Sequence, residues 1–188
     1  MRTIKTRHFT GTTDNTVTKR ELDNRKVARR AAAEGMVLLK NEGILPLKEG
    51  TKIALYGVGA SRTIKGGTGS GDVNERETVS IYQGMKNAGF QVTTEAWIES
   101  YDQIYENARQ EWKRSILSKT GEGADTMDFF TVYSTTPFKM PAGDPIQKPA
   151  EGEDTENAIY VLSRIAGEGS DRTLSLIHIS EPTRHLRI

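Results

Sequence analysis

Three short stretches of the chain carry residue types that could do chemistry. The first is Ser163-Arg164-Ile165-Ala166-Gly167-Glu168-Gly169-Ser170-Asp171-Arg172. Glu168 lies between two glycines, so its backbone is unobstructed and its carboxylate can project. Arg164, Asp171 and Arg172 could set the local field and with it the proton affinity of Glu168. A carboxyl group tuned upward serves as a general acid at neutral pH. The competing reading is a charged turn, whose exposed ion pairs contribute little.

The second stretch is Lys65-Gly66-Gly67-Thr68-Gly69-Ser70-Gly71-Asp72. Gly66 to Gly71 has the length of a P-loop. Asp72 and Val73, however, occupy the Lys and Ser/Thr positions, and a carboxylate there would repel a phosphate. Four glycines among Gly66–Gly71 still require a sharp bend or a close approach by another group. The alternating Thr68 and Ser70 hydroxyls suit a polyhydroxylated ligand better than an anion. A flexible surface loop is the competing reading. The third stretch is Gly57-Val58-Gly59-Ala60-Ser61-Arg62. A dinucleotide fingerprint needs a small residue where Arg62 stands, and an acid at the end of the next strand, where only Glu95 comes near. A nucleotide is therefore disfavoured, and no cofactor is expected.

The remaining catalytic residue types are scarce. There is no cysteine, which removes disulfides, thiolate zinc sites and cysteine nucleophiles. Of the three histidines, His178 and His185 fall in the last fifteen residues, LSLIHISEPTRHLRI, and His8 is near the start. The run from Leu174 to Ile188 continues no pattern in the chain. It resembles the peptide read from a sequencing adapter, and residues 174–188 are expected to be non-native. An ordinary strand over Leu174–Ile179 is the alternative. No histidine-based site and no metal site is expected.

The elements that must position these stretches alternate in type. Residues 1–17 read as an irregular arm. Thr18 and Glu21 have capping-box spacing, and a helix should run from there to about Lys40. Its stripe of Ala28, Ala32, Gly35 and Leu39 implies close packing. Asn41–Gly43 and Pro46 mark its end. Lys52–Gly57 reads as a strand and turn, Thr78–Ala88 as a helix, and Phe90–Thr94 as a second strand. Trp97 to about Leu117 reads as a helix. Residues 118–156 show no clear periodicity and are expected to be a loop-rich insertion. Asn157–Ser163 reads as a third strand, apolar enough for a buried position. This order predicts an α/β layered fold with a mainly parallel sheet, built from residues 18–173. Three strands are few, so an incomplete sheet is expected.

Composition narrows the partners. The chain has 188 residues, 26 basic and 25 acidic, for a net charge of +1. That balance gives no argument for nucleic acid or an anionic membrane, and neither is expected. Hydrophobic residues make up 35% and the mean hydropathy is −0.57, low for a compact domain. No stretch approaches 18 apolar residues, and Met1–Thr18 has no apolar leader-like run, so a cytoplasmic location is expected.

Three blocks resemble glycoside hydrolase family 3. Val27–Leu47 (VARRAAAEGMVLLKNEGILPL) is similar to the start of that family's α/β sandwich domain, with its LLKN and LPL marks. Lys52–Asn74 resembles the next strand and the GGxGSG loop. Ala158–Arg172 resembles the strand leading into the SR-SGEG-DR stretch. The order is the family's, and the sandwich-first arrangement resembles a subgroup with swapped domain order. The resemblance implies a retaining, exo-acting β-glucosidase whose (β/α)8 barrel supplies an Asp nucleophile from an SDW-type motif. It implies Glu168 as the general acid/base. It also implies Ser70, with Gly69 and Thr68, as substrate contacts near the reacting sugar. No SDW occurs in this chain, so the barrel is expected to be missing and the chain alone inactive on its β-glucoside or oligosaccharide substrate. A non-catalytic sugar-binding α/β module is the alternative function.

Overall fold

The computed structural model describes residues 16–67, 69–71, 73, 77–121, 123, 125–146 and 154–167. The described chain forms two compact units, Met1–Pro46 and Leu47–Ile188. Most of the 1–17 arm and all of the 174–188 tail lie outside the described residues.

The first unit holds helix α1, Lys19–Glu34. Its start follows the sequence signal. Thr18 Oγ1 accepts from the Glu21 amide at 3.3 Å, and Glu21 Oε2 accepts from the Thr18 amide at 2.7 Å, a reciprocal capping box. Its end does not. The helix stops at Gly35, whose N–H donates to Ala31 O at 2.9 Å. The expected run to Lys40 is thus cut short by the residue that loses most backbone entropy in a helix. Met36–Leu39 leave the helix, with Leu39 88% exposed, and no residue of α1 is buried. Asn41 organises its own loop: its Oδ1 accepts from the Gly43 and Leu45 amides, and its Nδ2 donates to Leu45 O.

The second unit carries the sheet. Strand β1 is Lys52–Tyr56, β2 is Gln91–Val92 and β3 is Ala158–Tyr160. Their order is β2-β1-β3 and both pairings are parallel, as expected. The registers are Ile53↔Val92 and Leu55↔Ile159. Ile53, Ala54, Leu55 and Tyr56 are all buried, so β1 is covered on both faces, as a central parallel strand should be. Both outer strands are shorter than expected. β3 is only half buried, with Tyr160 64% exposed, because it is the outer strand among the described residues.

Helix α2 (Ile81–Asn87) starts at Ser80, whose hydroxyl accepts from the Gln83 amide at 3.1 Å. Helix α3 (Glu95–Thr120) is longer than expected and begins two residues earlier. Tyr82, Met85 and Trp97 pack on a core of Ile53, Leu55, Ala60 and Ile98. Between α2 and α3, Glu95 Oε1 accepts from the Tyr82 hydroxyl at 2.7 Å and from Lys86 Nζ at 2.8 Å. The Lys86 ammonium holds the Glu95 carboxyl below the ordinary range, and Glu95 in turn raises Lys86.

Thr94 is fully buried and precedes α3, yet its hydroxyl does not cap the helix. It accepts from the Leu55 amide at 2.9 Å and donates to Leu55 O at 2.7 Å. A side chain therefore continues the β1 ladder where β2 stops, and two buried backbone groups stay paired.

The 118–156 stretch is not structureless. It contains helix α4, Thr126–Thr135, capped by Asp125 and Asp128 in a second reciprocal box. The return segment is pinned along α3. Trp112 Nε1 donates to Thr136 O at 2.6 Å, the Tyr101 hydroxyl donates to Pro141 O at 3.3 Å, and Trp97 Nε1 donates to Asp144 O at 3.1 Å. Burial pushes the Tyr101 hydroxyl up to about 12, so it stays a donor at all ordinary pH values. No helix among the described residues is long and apolar enough to cross a membrane.

Candidate functional site

The strand order β2-β1-β3 makes a switch point between β1 and β3. The chain leaves β1 toward β2 on one side, then returns to pair on the other. Open α/β sheets place ligands in the crevice at the carboxyl ends of such strands. The segment after β1 holds the Gly57–Arg62 turn and the glycine loop. The segment after β3 is described from Val161 to Gly167, the residue before Glu168 in the sequence. All three sequence candidates thus follow the two strands that border this crevice.

Close contacts explain the glycines. Gly57 has φ of +95°, and a Cβ there would lie 2.4 Å from Val161 O. A Cβ on Gly59 would lie 1.9 Å from Ser163 Oγ. The turn after β1 therefore packs flush against residues 161–163, and its glycines serve that packing. In the glycine loop, a Cβ on Gly66 would meet Gly71 O at 2.4 Å, so the loop closes on itself. A Cβ on Gly67 would meet Ala166 O at 2.5 Å and Gly167 Cα at 3.2 Å. The second and first candidate stretches are in direct backbone contact, next to the residue before Glu168.

The individual candidates fare differently. Gly69 opens a single 3-10 turn, Gly69–Gly71, with φ of +83°, and Ser70 is its middle residue. Thr68, Asp72 and Glu168 lie outside the described residues, as do Asp171, Arg172 and all three histidines. Arg164 is exposed. Lys65 Nζ donates to the Thr78 hydroxyl at 3.0 Å, which ties the start of the glycine loop to the approach to α2. Among the described residues no group of acids and histidines could hold a metal ion.

Arg62, the residue that spoils the nucleotide pattern, has a structural role. Its Nε donates to Asp102 Oδ1 at 2.7 Å, another nitrogen lies 3.1 Å from Glu106 Oε1, and the guanidinium stacks 4.5 Å from the Tyr105 ring centre. Ser61 donates to the same Asp102 oxygen. The end of the turn after β1 is thereby fastened to α3.

A cleft of about 970 Å³ opens beside the glycine loop. One wall is the loop itself, including Gly66, Gly67 and Gly69, with Ile165 beyond it. The lining also includes an aromatic group: Tyr105 and Trp112 of α3, Phe130 and Tyr133 of α4, and Phe138. Trp112 meets Tyr133 and Phe138 edge-on, each at 5.7 Å, and Arg109 stacks over Trp112 at 4.5 Å. The sequence reading missed this group. Tyr105 and Trp112 stand seven apart on one helix face, a legible signal, but α4 lay hidden in a stretch taken as loop.

Residues 36–183 match the family model described as the glycosyl hydrolase family 3 C-terminal domain. That match runs into the stretch read as non-native. The chain is 32% identical to beta-glucosidase A of Butyrivibrio fibrisolvens over 155 residues, covering 77% of this chain and 15% of that protein. It is 32% identical to thermostable beta-glucosidase B of Acetivibrio thermocellus over 130 residues, covering 69% of this chain and 16% of that one. Among solved structures it is similar to beta-glucosidase 3B of Thermotoga neapolitana in complex with alpha-D-glucose. There the TM-score is 0.55 at 35% identity, over 81% of this chain and 19% of that one. The chain thus spans less than a fifth of the length of these relatives.

Proposed function

Because the chain belongs to glycoside hydrolase family 3, through that family's C-terminal α/β domain, we propose that it supplies the acid/base half of a retaining, exo-acting β-glucosidase site. Glu168 is the acid/base. The observation that carries this reading is the contact of Gly67 with Ala166 and Gly167. It joins the hydroxyl-bearing glycine loop to the segment that ends in the carboxylate, at the switch point of the sheet.

The chemistry follows from two carboxyl groups about 5–5.5 Å apart across the scissile bond. One, an aspartate expected on a barrel that lies outside this chain, attacks the anomeric carbon. Glu168 gives its proton to the departing glycosidic oxygen, which leaves as an alcohol. Glu168 then takes a proton from water as that water attacks the glycosyl ester, and the sugar is released with retained configuration. Thr68 and Ser70 bind hydroxyls of the reacting sugar, and Gly69 gives the turn its positive φ. Glu168 is only one of the two groups, so the chain alone does not hydrolyse glucosides.

The test is an exchange. Residues 36–167, extended through Arg172, replace the matched segment of the Butyrivibrio beta-glucosidase A. The hybrid is expected to hydrolyse para-nitrophenyl β-glucoside. Glu168→Ala in it should slow methyl β-glucoside hydrolysis on the order of 10²-fold or more. Azide should then restore turnover with an activated substrate and give β-glucosyl azide, because the anion replaces water where the base is gone. A Glu168→Ala hybrid that runs at the parental rate sinks the assignment and favours a sugar-binding role instead.

A further inference from the structure

We propose that Arg109 anchors a carboxylate in this cleft, so that the site takes a small organic acid as a ligand. The inference goes beyond the hydrolase reading and does not rest on Glu168. Arg109 lies on α3, one turn after Tyr105 and one turn before Trp112, and is half-buried in the cleft lining. Its guanidinium sits 4.5 Å from the Trp112 ring centre and 4.9 Å from that of Phe138. These contacts hold it against the two rings. Yet among the described residues no carboxylate or carbonyl takes its N–H groups. A guanidinium carries five donors, and one that is half-buried without an acceptor has lost part of its hydration for nothing in return.

The surroundings favour an anion. Among the described residues the lining holds three cationic side chains, Arg62, Lys65 and Arg109, and no Asp or Glu. The first two are engaged. Arg62 bonds Asp102 and Glu106, and Lys65 donates to Thr78. Glu106, the acid three residues before Arg109, is thus paired with Arg62 instead. A cation left without a counter-charge in a concave, partly apolar site attracts one. A carboxylate matches the guanidinium fork with two parallel hydrogen bonds, which sets it apart from a simple point charge. Tyr105 and Tyr133 also line the cleft, and their hydroxyls have no hydrogen bond among the described residues. The cleft therefore offers the body of the ligand both these hydroxyls and the Phe130 ring, 62% exposed. That lining suits an aromatic acid or a sugar acid, and the carboxylate is what the two share.

The experiment uses the 188-residue chain at constant ionic strength. It follows the Trp112 indole N–H by NMR, identified by its loss in Trp112→Phe. The Trp97 indole, outside the cleft lining, is the internal reference. Benzoate is titrated against benzyl alcohol, D-glucuronate against D-glucose, and inorganic phosphate by itself. At least one carboxylate is expected to shift the Trp112 signal saturably and to bind about tenfold tighter than its neutral counterpart and than phosphate. Which of the two does so identifies the body of the ligand. Arg109→Gln should bring that affinity down to the neutral counterpart's, while Arg109→Lys, which keeps the charge, should retain part of it. Arg114→Gln removes an exposed cation elsewhere on α3, outside the cleft lining, and should leave binding as it was. An unmoved Trp97 signal in the Arg109 variants shows that the fold is kept. Carboxylates that bind no better than their neutral counterparts, phosphate that binds as tightly, or an Arg109→Gln variant with parental affinity would overturn the proposal. None of these readouts involves glucoside hydrolysis, so the hydrolase reading stands or falls separately.

Discussion

Replacing Gly67 by alanine adds one methyl group at the contact between the glycine loop and the segment proposed to carry the acid/base. That Cβ would lie 2.5 Å from Ala166 O, a backbone atom, and 3.2 Å from Gly167 Cα. Ordinary van der Waals contact begins at 3.4 Å, so the two backbones must part by about 0.9 Å. No flexible side chain can yield instead. Catalytic groups must be held within about 0.5 Å of the productive geometry. A displacement of about 1 Å costs on the order of 10²-fold in rate. In the hybrid hydrolase, Gly67→Ala is therefore expected to lower kcat for methyl β-glucoside by roughly that factor. A dinitrophenyl glucoside, whose leaving group departs without a proton, should form its glycosyl-enzyme nearly as fast as before. Overpacking also lowers stability by about 1–3 kcal/mol. Gly84→Ala is the matched control. Gly84 lies inside α2 with nothing within 4 Å of its would-be Cβ, so the same methyl should stabilise by about 0.5–1 kcal/mol. Single-turnover and steady-state rates on both substrates, with urea unfolding alongside, separate the two effects. A Gly67→Ala hybrid within about threefold of the parental kcat on methyl β-glucoside would refute the reasoning.

Other outcomes can be checked on the chain itself. Thr94→Val should strand the Leu55 N–H and C=O in the core, at about 1–3 kcal/mol per group. Amide exchange at Leu55 should then accelerate on the order of 100-fold, while Thr94→Ser stays near the parent; equal rates in the two variants would count against the bridging role. Glu95 has a lowered proton affinity, so its link to Lys86 and Tyr82 holds above the ordinary value of 4.5 and is lost as the pH falls through the lower folded-state value. In a carboxyl carbon NMR titration, Lys86→Met should move the Glu95 midpoint upward, and an unmoved midpoint would reject the pairing. The purified chain should show no hydrolysis of aryl β-glucosides. Activity that disappears in Glu168→Gln would reverse that reading.

Much of the scaffold was legible because local chemistry and tertiary context agreed. The Thr18–Glu21 box and the KIALY strand are local signals that the fold keeps. Where they disagreed, reading failed. The stripe through Gly35 looked continuous, but a glycine inside it costs enough to end α1 there. Helix α4 was hidden because its cap is Asp125 paired with Asp128, and because Phe129, Phe130, Val132 and Tyr133 are strand-prone types. The glycines of residues 57–71 announced close approach, yet no local rule says which backbone approaches. Only the β1–β3 pairing brings Val161–Gly167 there. The candidate site was thus readable as two loops, and its aromatic group was not.

The pairing of Ala54 with Ala158 joins positions 104 residues apart in the chain. During synthesis at about 5–20 residues per second, β1 emerges roughly 5–20 s before its β3 partner. Throughout that interval its outer edge is an unsatisfied template, open to any extended peptide nearby. The strand that precedes the proposed acid/base segment is also the one that closes this edge. A ribosome paused inside the aromatic insertion would therefore hold the nascent chain at its most adhesive stage, and an abundant chaperone is best recruited there.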